Sequence, residues 1–159
     1  MRLIHCADLH LGSTLSTLPK ELIEERKTEL RNSFLRMVEY ARNSDIPVIL
    51  LCGDVFDREK PFKKDSDFFY NVIESMPEID FLYLRGNHDI DGEQRELPNL
   101  KTFSEEWTTY TYGDVTVSGI ELSPGNLSSY NSTLSLDEKK KNIVMLHGQE
   151  GTEDRKSVV

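Results

Sequence analysis

The chain repeats one pattern: a short apolar run of strand length, followed at once by a small polar block. The four blocks are Asp8-Leu9-His10, Gly53 to Asp57, Gly86 to Asp89 and Leu146-His147-Gly148. Short continuous apolar runs are typical of strands that are buried on both faces. Three of the chain's four histidines lie in these blocks. The pattern therefore predicts a buried sheet whose loops present chemically active side chains at one edge.

The first half of the chain predicts alternating strands and helices. Strands are expected over 2–7, 47–52 and 81–85, and helices over 21–43 and 65–76. The apolar residues of the first helix recur on one face; they are Ile23, Leu30, Phe34, Met37 and Ala41. This β-α-β-α-β order with short connections favours a parallel sheet, with both helices packed on it by right-handed crossovers.

The second half of the chain has a different pattern. Residues 91–102 are polar and rich in turn formers, so no strand is predicted there. Residues 107–112 and 115–120 predict a hairpin joined by Gly113-Asp114. A Ser/Asn-rich loop is expected over 123–135, and a last buried strand over 142–146 ends at His147.

The composition limits the classes of protein to which the chain can belong. The 159 residues are 37% hydrophobic and 30% charged, which allows one domain with a core. No apolar stretch is long enough to span a membrane, and the first residues lack the apolar segment of a signal peptide, so we expect a cytoplasmic protein. The net charge of −9 disfavours a dedicated duplex-binding surface, which is usually basic. A phosphate substrate remains compatible, because bound divalent metals supply positive charge locally.

The two cysteines each precede a motif aspartate by two residues. Cys6 and Cys52 both lie near the end of an apolar run. We expect two small, reduced core residues. A disulfide or a thiolate ligand is the alternative.

The first two blocks contain candidate metal ligands. Asp8 and His10 are two residues apart, so in an extended segment their side chains point the same way and can reach one metal. Asp54 follows a glycine that allows a sharp turn, and its two carboxylate oxygens can bridge two cations. Asp57 is expected to orient a histidine or a loop.

The third block is the most specific of the four. Asn87 offers a metal only a neutral oxygen, so other, charged ligands are implied nearby. A histidine side chain ordinarily titrates near neutral pH, which suits His88 to proton donation to a leaving alkoxide, and Asp89 is able to fix the tautomer of that imidazole. His147 alone is more often structural, and His5 is expected to be a core or edge residue of the first strand.

These motifs together resemble those of the calcineurin-like metallophosphoesterase superfamily. Within it, residues 4–12 (IHCADLHLG), 48–57 (VILLCGDVFD) and 84–89 (LRGNHD), with the helix around 31–34, are similar to the DNA-repair exonuclease branch that contains the bacterial SbcD nuclease subunit. The resemblance implies an α/β fold, a β-sandwich flanked by helices in α-β-β-α order, with an incomplete second sheet. It covers residues 1–150 as one partial domain and leaves 151–159 as a polar tail.

The resemblance also implies a site and its cofactors. Asp8 and His10 would bind one metal, Asp54 would bridge two, and Asn87 and His147 would bind the second. His88 would be the proton donor, with Asp89 as its catalytic partner and Asp57 supporting the ligands. The cofactors would be two divalent ions, Mn²⁺ in this branch, with Fe or Zn as alternatives.

The implied function is hydrolysis of DNA phosphodiester bonds by a hydroxide that two metals share. The implied partners are DNA and an ATPase subunit of the SbcC type; a homodimer is a further option, and no membrane partner is expected. The alternatives are a phosphomonoesterase or small-molecule phosphodiesterase on the same fold, and a non-catalytic, metal-poor scaffold that binds a protein.

The chain departs from the family pattern in one motif. In the family a Gly-His-x-His block follows the Leu146-His147-Gly148 block and supplies one histidine to each metal, whereas no histidine follows His147 here. We therefore expect a shortened piece of a larger nuclease. A naturally short protein with a weak site and assembly with a second copy are the two alternatives.

Overall fold

A computed structural model describes residues 1–15, 17, 19–57, 61–86, 89 and 95–148. The elements in chain order are β1 (Ile4–Cys6), α1 (Lys20–Asn43), β2 (Val48–Cys52), α2 (Lys63–Glu74), β3 (Asp80–Leu84), β4 (Leu100–Thr102), β5 (Thr108–Tyr112), β6 (Val115–Gly119), α3 (Tyr130–Thr133) and β7 (Lys141–Met145). The predicted tail over 151–159 lies outside the described residues, so that boundary stays a prediction.

The first sheet is parallel, as predicted. Its strand order is β1-β2-β3-β4, and every neighbouring pair runs in the same direction. All five residues of β2 are buried, because helices cover one face of this sheet and a second sheet covers the other. The strand β4 was not predicted. It has only three residues, none of them fully buried, and so lacks the apolar run that identifies the other strands.

The two long helices form the layer on one face of this sheet. Phe34 of α1 packs on Phe69 of α2 with ring centroids 5.7 Å apart, and Phe69 in turn meets Tyr83 of β3 at 5.6 Å. Phe34 and Ala41 of the predicted face are buried together with Val38. Ile23 and Leu30, nearer the start of α1, are only half-buried. Within the described ranges, each helix is too short or too polar to cross a membrane.

The second sheet packs on the opposite face of the first. Its order is β5-β6-β7, with the predicted antiparallel hairpin between β5 and β6 and a parallel pair between β6 and β7. Leu50 and Leu82 of the first sheet share a core with Phe103, Val117 and Met145. The α/β sandwich class is therefore confirmed, with a helix layer and two sheets. The short α3, which has no buried residue, falls inside the predicted Ser/Asn-rich loop.

The two cysteines are free, as predicted, and no disulfide joins them; Cys52 is buried in the core, whereas Cys6 is only partly buried. Cys6 is paired in register with Leu51, the neighbour of Cys52, so the two side chains point to opposite faces of the sheet. Cys6 packs on the helix side and Cys52 on the sandwich side. Burial raises the pKa of the Cys52 thiol to about 12, which disfavours a thiolate ligand.

Candidate metal centre

The polar blocks meet because the strands that precede them are neighbours. The loops after β1 and β2 continue side by side beyond the sheet. The amide groups of Asp8, His10 and Leu11 donate to the carbonyls of Gly53, Asp54 and Val55 at 3.1, 3.0 and 2.8 Å. The Gly53 amide in turn donates to the Leu84 carbonyl at the end of β3, at 2.8 Å. Three of the four blocks therefore start from one hydrogen-bonded edge.

Three candidate ligands have left-handed backbone conformations. The φ angles are 53° at Asp8, 47° at His10 and 49° at Asp54. The extended alternation that we expected for Asp8 and His10 is therefore wrong, although the two side chains still converge. A left-handed residue other than glycine costs of order 1 kcal/mol and is found mainly where the surrounding structure enforces it, often at functional sites.

Asp8, His10 and Asp54 form a compact group. Each of them offers one ligand atom, and these atoms all lie within 4.8 Å of one another. His10 Nε2 is 3.9 Å from Asp8 Oδ1. With a small adjustment of the side chains, one cation with ligand distances of about 2.0–2.2 Å would reach all three atoms. The mixture of carboxylate oxygen and imidazole nitrogen suits a transition metal such as Mn²⁺, and bringing the two carboxylates together favours a bound cation.

Asp57 contacts the other nitrogen of the same imidazole. Asp57 Oδ1 lies 3.1 Å from His10 Nδ1. A carboxylate beside Nδ1 favours the tautomer with its proton there, which leaves the Nε2 lone pair directed to the Asp8 side. The expectation that Asp57 orients a histidine agrees with this contact, and the histidine is His10.

His147 reaches the same site from the second sheet. Its Nδ1 lies 3.1 Å from the Cys52 carbonyl oxygen. A carbonyl only accepts, so Nδ1 carries the proton and donates, and Nε2 is left as the acceptor. That Nε2 lies 3.5 Å from Asp54 Oδ1, with side chains only 8% and 13% exposed. Asp54 therefore stands between the Asp8–His10 pair and His147.

Two glycines make this close approach feasible. Gly53 has a φ of +77°, and a Cβ there would lie 2.1 Å from His147 Nδ1. At Gly86 a Cβ would lie 2.3 Å from Asp54 Oδ1 and 2.9 Å from His147 Nε2. These distances are far inside van der Waals contact, so larger residues would displace a candidate ligand.

Asp89 is buried and fully engaged with its surroundings. Its carboxylate accepts hydrogen bonds from the amides of Val55, Phe56 and Gly86 at 3.2, 2.9 and 2.9 Å. The phenol of Tyr83 donates to it as well. Burial raises the pKa of Asp89, and these hydrogen bonds oppose that shift. Asn87 and His88, the predicted ligand and proton donor, lie outside the described residues.

The sequence did not point to several groups that hold this site together. The Cys52 carbonyl is a backbone group and leaves no sequence signal. Tyr83 appears only as one more member of an apolar strand. Arg85 forms two hydrogen bonds with Glu121, at 2.7 and 2.5 Å, and ties the start of the Gly86 block to the loop after β6. The position of Arg85 directly before Gly86 was the sequence feature that could have identified it.

Comparison with known proteins gives a matching family and several relatives. Residues 1–156 match the family described as calcineurin-like phosphoesterase. The DNA double-strand break repair protein Mre11 of Sulfurisphaera tokodaii is 26% identical over 92% of this chain and 40% of its own length. The SbcD subunit of the nuclease SbcCD of Staphylococcus epidermidis is 29% identical over 60% of this chain and 24% of its own length.

A third relative is the uncharacterized metallophosphoesterase YhaO of Bacillus subtilis, 34% identical over 57% of this chain and 24% of its own length. The chain thus spans less than half the length of each of these three relatives. The names of the first two agree with the DNA-repair nuclease branch that the motifs predict.

Proposed function

Because the chain belongs to the calcineurin-like phosphoesterase family, we propose that it is a hydrolase of phosphoric esters that works with two divalent metal ions. The observation that carries this proposal is the position of Asp54. Its carboxylate lies within reach of His10 and Asp8 on one side and 3.5 Å from His147 Nε2 on the other. A carboxylate so placed is suited to bridge two cations.

The proposed ligand sets follow from that position. Asp8, His10 and one oxygen of Asp54 would hold the first ion. The second oxygen of Asp54, His147 Nε2 and the side-chain oxygen of Asn87 would hold the second. Mn²⁺ is proposed for both, with Fe or Zn as alternatives, because the ligands mix nitrogen and oxygen.

Two divalent ions would supply activation of water and neutralisation of the charge on the phosphoryl oxygens. The protein's own part is positioning and proton transfer. The Asp57 carboxylate and the Cys52 carbonyl each favour a proton on Nδ1 of a ligand histidine, so that Nε2 carries the lone pair that would bind a metal. We assign to His88 the proton that the leaving oxygen requires.

We propose a DNA phosphodiester as the substrate and an ATPase subunit of the SbcC type as a partner. Both proposals rest on the similarity to the Mre11 protein and to the SbcD subunit of the nuclease SbcCD. The net charge of −9 favours the second candidate, a phosphatase or phosphodiesterase for small molecules, because a dedicated duplex-binding module is usually basic. A cytoplasmic location and a homodimer stay predictions.

One assay separates these candidates. The chain is incubated with Mn²⁺ and, in parallel, with linear duplex DNA, bis(p-nitrophenyl) phosphate and p-nitrophenyl phosphate. We expect hydrolysis of both diesters, and its loss when a chelator is added. Faster hydrolysis of the monoester than of either diester would contradict the nuclease assignment. A lack of hydrolysis of all three, with less than one Mn²⁺ bound per chain, would support the non-catalytic scaffold.

A further inference from the structure

We propose that Asp89 is a positioning residue that sets the second metal subsite, acting through the backbone of two loops. This inference rests on the two-metal function proposed above. It differs from the role expected from the sequence, in which Asp89 fixes the tautomer of His88. Every described partner of its carboxylate is a backbone amide or the Tyr83 phenol.

The contacts of Asp89 join two loops that carry different ligands. The amides of Val55 and Phe56 belong to the loop that begins with Asp54, and the Gly86 amide opens the block that contains Asn87. One carboxylate, 5% exposed, thus fixes the spacing of these two loops. Hydrogen bonds from amides to a buried carboxylate are stronger than neutral ones, so the connection is stiff.

Gly86 is the residue through which a change in this spacing would move the proposed metal ligands. A Cβ on Gly86 would lie 2.3 Å from Asp54 Oδ1 and 2.9 Å from His147 Nε2. The Gly86 backbone is therefore packed directly against two of the proposed ligands of the second metal. A shift of a few tenths of an ångström at Gly86 would change the space that this metal has.

Asp8 and His10, the two ligands that belong to the first subsite alone, have separate support. Asp8 and His10 are held by their own amide hydrogen bonds to the carbonyls of Gly53 and Asp54, and His10 contacts Asp57. None of these contacts includes Asp89 or Gly86. Loss of the Asp89 carboxylate should therefore affect the second metal much more than the first.

The test is stepwise Mn²⁺ binding to the whole chain, measured by calorimetry, for the wild type and for Asp89→Asn. An amide at this position accepts through one oxygen only and turns its NH₂ group toward backbone donors. We expect the second dissociation constant to rise about 10- to 100-fold, as is usual when a group that supports metal ligands is lost, and the first to change little. Electron paramagnetic resonance should show coupled Mn²⁺ pairs in the wild type and isolated Mn²⁺ in the variant.

Asp80→Asn is the matched control. Asp80 begins the same strand β3 at its opposite end, where its carboxylate accepts a hydrogen bond from Tyr112 at 2.7 Å. This variant should lose stability without a change in either Mn²⁺ dissociation constant. Equal weakening of both metals in Asp89→Asn, or no weakening of either, would overturn the positioning role.

Tyr83→Phe keeps the test decisive if Asp89→Asn does not fold. It removes one donor to Asp89 and leaves the three amide bonds in place, so a smaller loss at the second metal alone is expected. Unchanged binding of both metals by Tyr83→Phe would then overturn the role. A wild-type chain that does not bind two Mn²⁺ ions would instead refute the proposed function.

Discussion

Single residues decide which atoms face the candidate metal centre. The imidazoles of His10 and His147 both have Nδ1 close to an acceptor, a carboxylate in one case and a backbone carbonyl in the other. Nε2 of each ring therefore faces the carboxylates of Asp8 and Asp54. The residue types of this site were predictable from the motifs. The left-handed backbone of Asp8 and His10 was not, because a two-residue spacing fits an extended strand equally well.

Gly53→Ala tests the packing of His147. A methyl group here would collide with the imidazole and would also need a strained φ of +77°. We expect the free energy of unfolding to fall by about 3 kcal/mol and the affinity for the second Mn²⁺ to fall about tenfold. Urea unfolding and calorimetry measure the two effects.

Gly113→Ala is the control for that variant. Gly113 also has a positive φ, +61°, but a Cβ there would meet no atom within 4 Å. The Gly113→Ala substitution should lower the free energy of unfolding by the backbone strain alone, about 1–2 kcal/mol, and leave Mn²⁺ binding unchanged. The same effect on Mn²⁺ from both variants would argue against contact between Gly53 and a metal ligand.

His88→Ala tests the proton donor. Turnover should fall about 10²- to 10⁴-fold, since general acid catalysis typically contributes that much, while Mn²⁺ binding stays unchanged. His5→Ala, at an exposed position on the edge strand β1, is the control and should keep full turnover. A His88→Ala chain that loses metal but regains full turnover when metal is restored would rule out this role.

At the scale of secondary structure elements, prediction succeeded where burial leaves a clear pattern. The strands β2 and β3 and the hairpin of β5 and β6 were predicted because their side chains are apolar or alternate regularly. The strand β4 is held by pairing with β3 and carries no such pattern, and α3 is a single turn in a polar loop. Tertiary contacts determine these two elements, so their sequences alone do not predict them.

Asn99 is an element-scale feature that no motif suggested. Its buried side-chain amide donates to the carbonyls of Ile73, Met76 and Ile79, at 2.9, 2.9 and 3.2 Å, and so closes the end of α2. Asn99→Ala should lower the free energy of unfolding by about 2 kcal/mol, because it removes the buried hydrogen bonds from this amide. Asn131→Ala, on the exposed α3, is the control, and urea unfolding should show almost no change in its free energy of unfolding. Equal effects would mean that Asn99 does not stabilise the helix end.

At the scale of the whole molecule, the parallel sheet separates two cores. One core lies between the sheet and the helices and the other between the two sheets. The proposed metal ligands come from both sheets, since His147 follows β7 while the other described ligands follow β1 and β2. Packing of the second sheet on the first therefore brings His147 to the ligands that follow β1 and β2.

Tyr112 links the two sheets, because its phenol donates to Asp80 Oδ2 of β3 at 2.7 Å. Burial and the Asp80 carboxylate raise the pKa of Tyr112 above its ordinary value of 10.0. The stability from this group is therefore complete below pH 10 and is lost as the pH rises above it, because the unfolded phenol ionises first. Tyr112→Phe should cost about 1–3 kcal/mol at neutral pH and should lose less stability than the wild type above pH 10.

Urea unfolding at neutral and alkaline pH measures this difference. Tyr40→Phe, at a position 60% exposed, is the control and should be close to neutral at pH 7. Parallel stability curves for the wild type and Tyr112→Phe across pH 10 would contradict a raised pKa.

Our central claim is that loops from both sheets form one two-metal phosphoesterase centre around Asp54. The most direct test is the rate of bis(p-nitrophenyl) phosphate hydrolysis as Mn²⁺ is added stepwise to the metal-free chain. We predict a rate that rises to a plateau at two Mn²⁺ ions per chain and is abolished by Asp54→Asn. A plateau at one ion per chain, or an Asp54→Asn chain as active as the wild type, would contradict the claim.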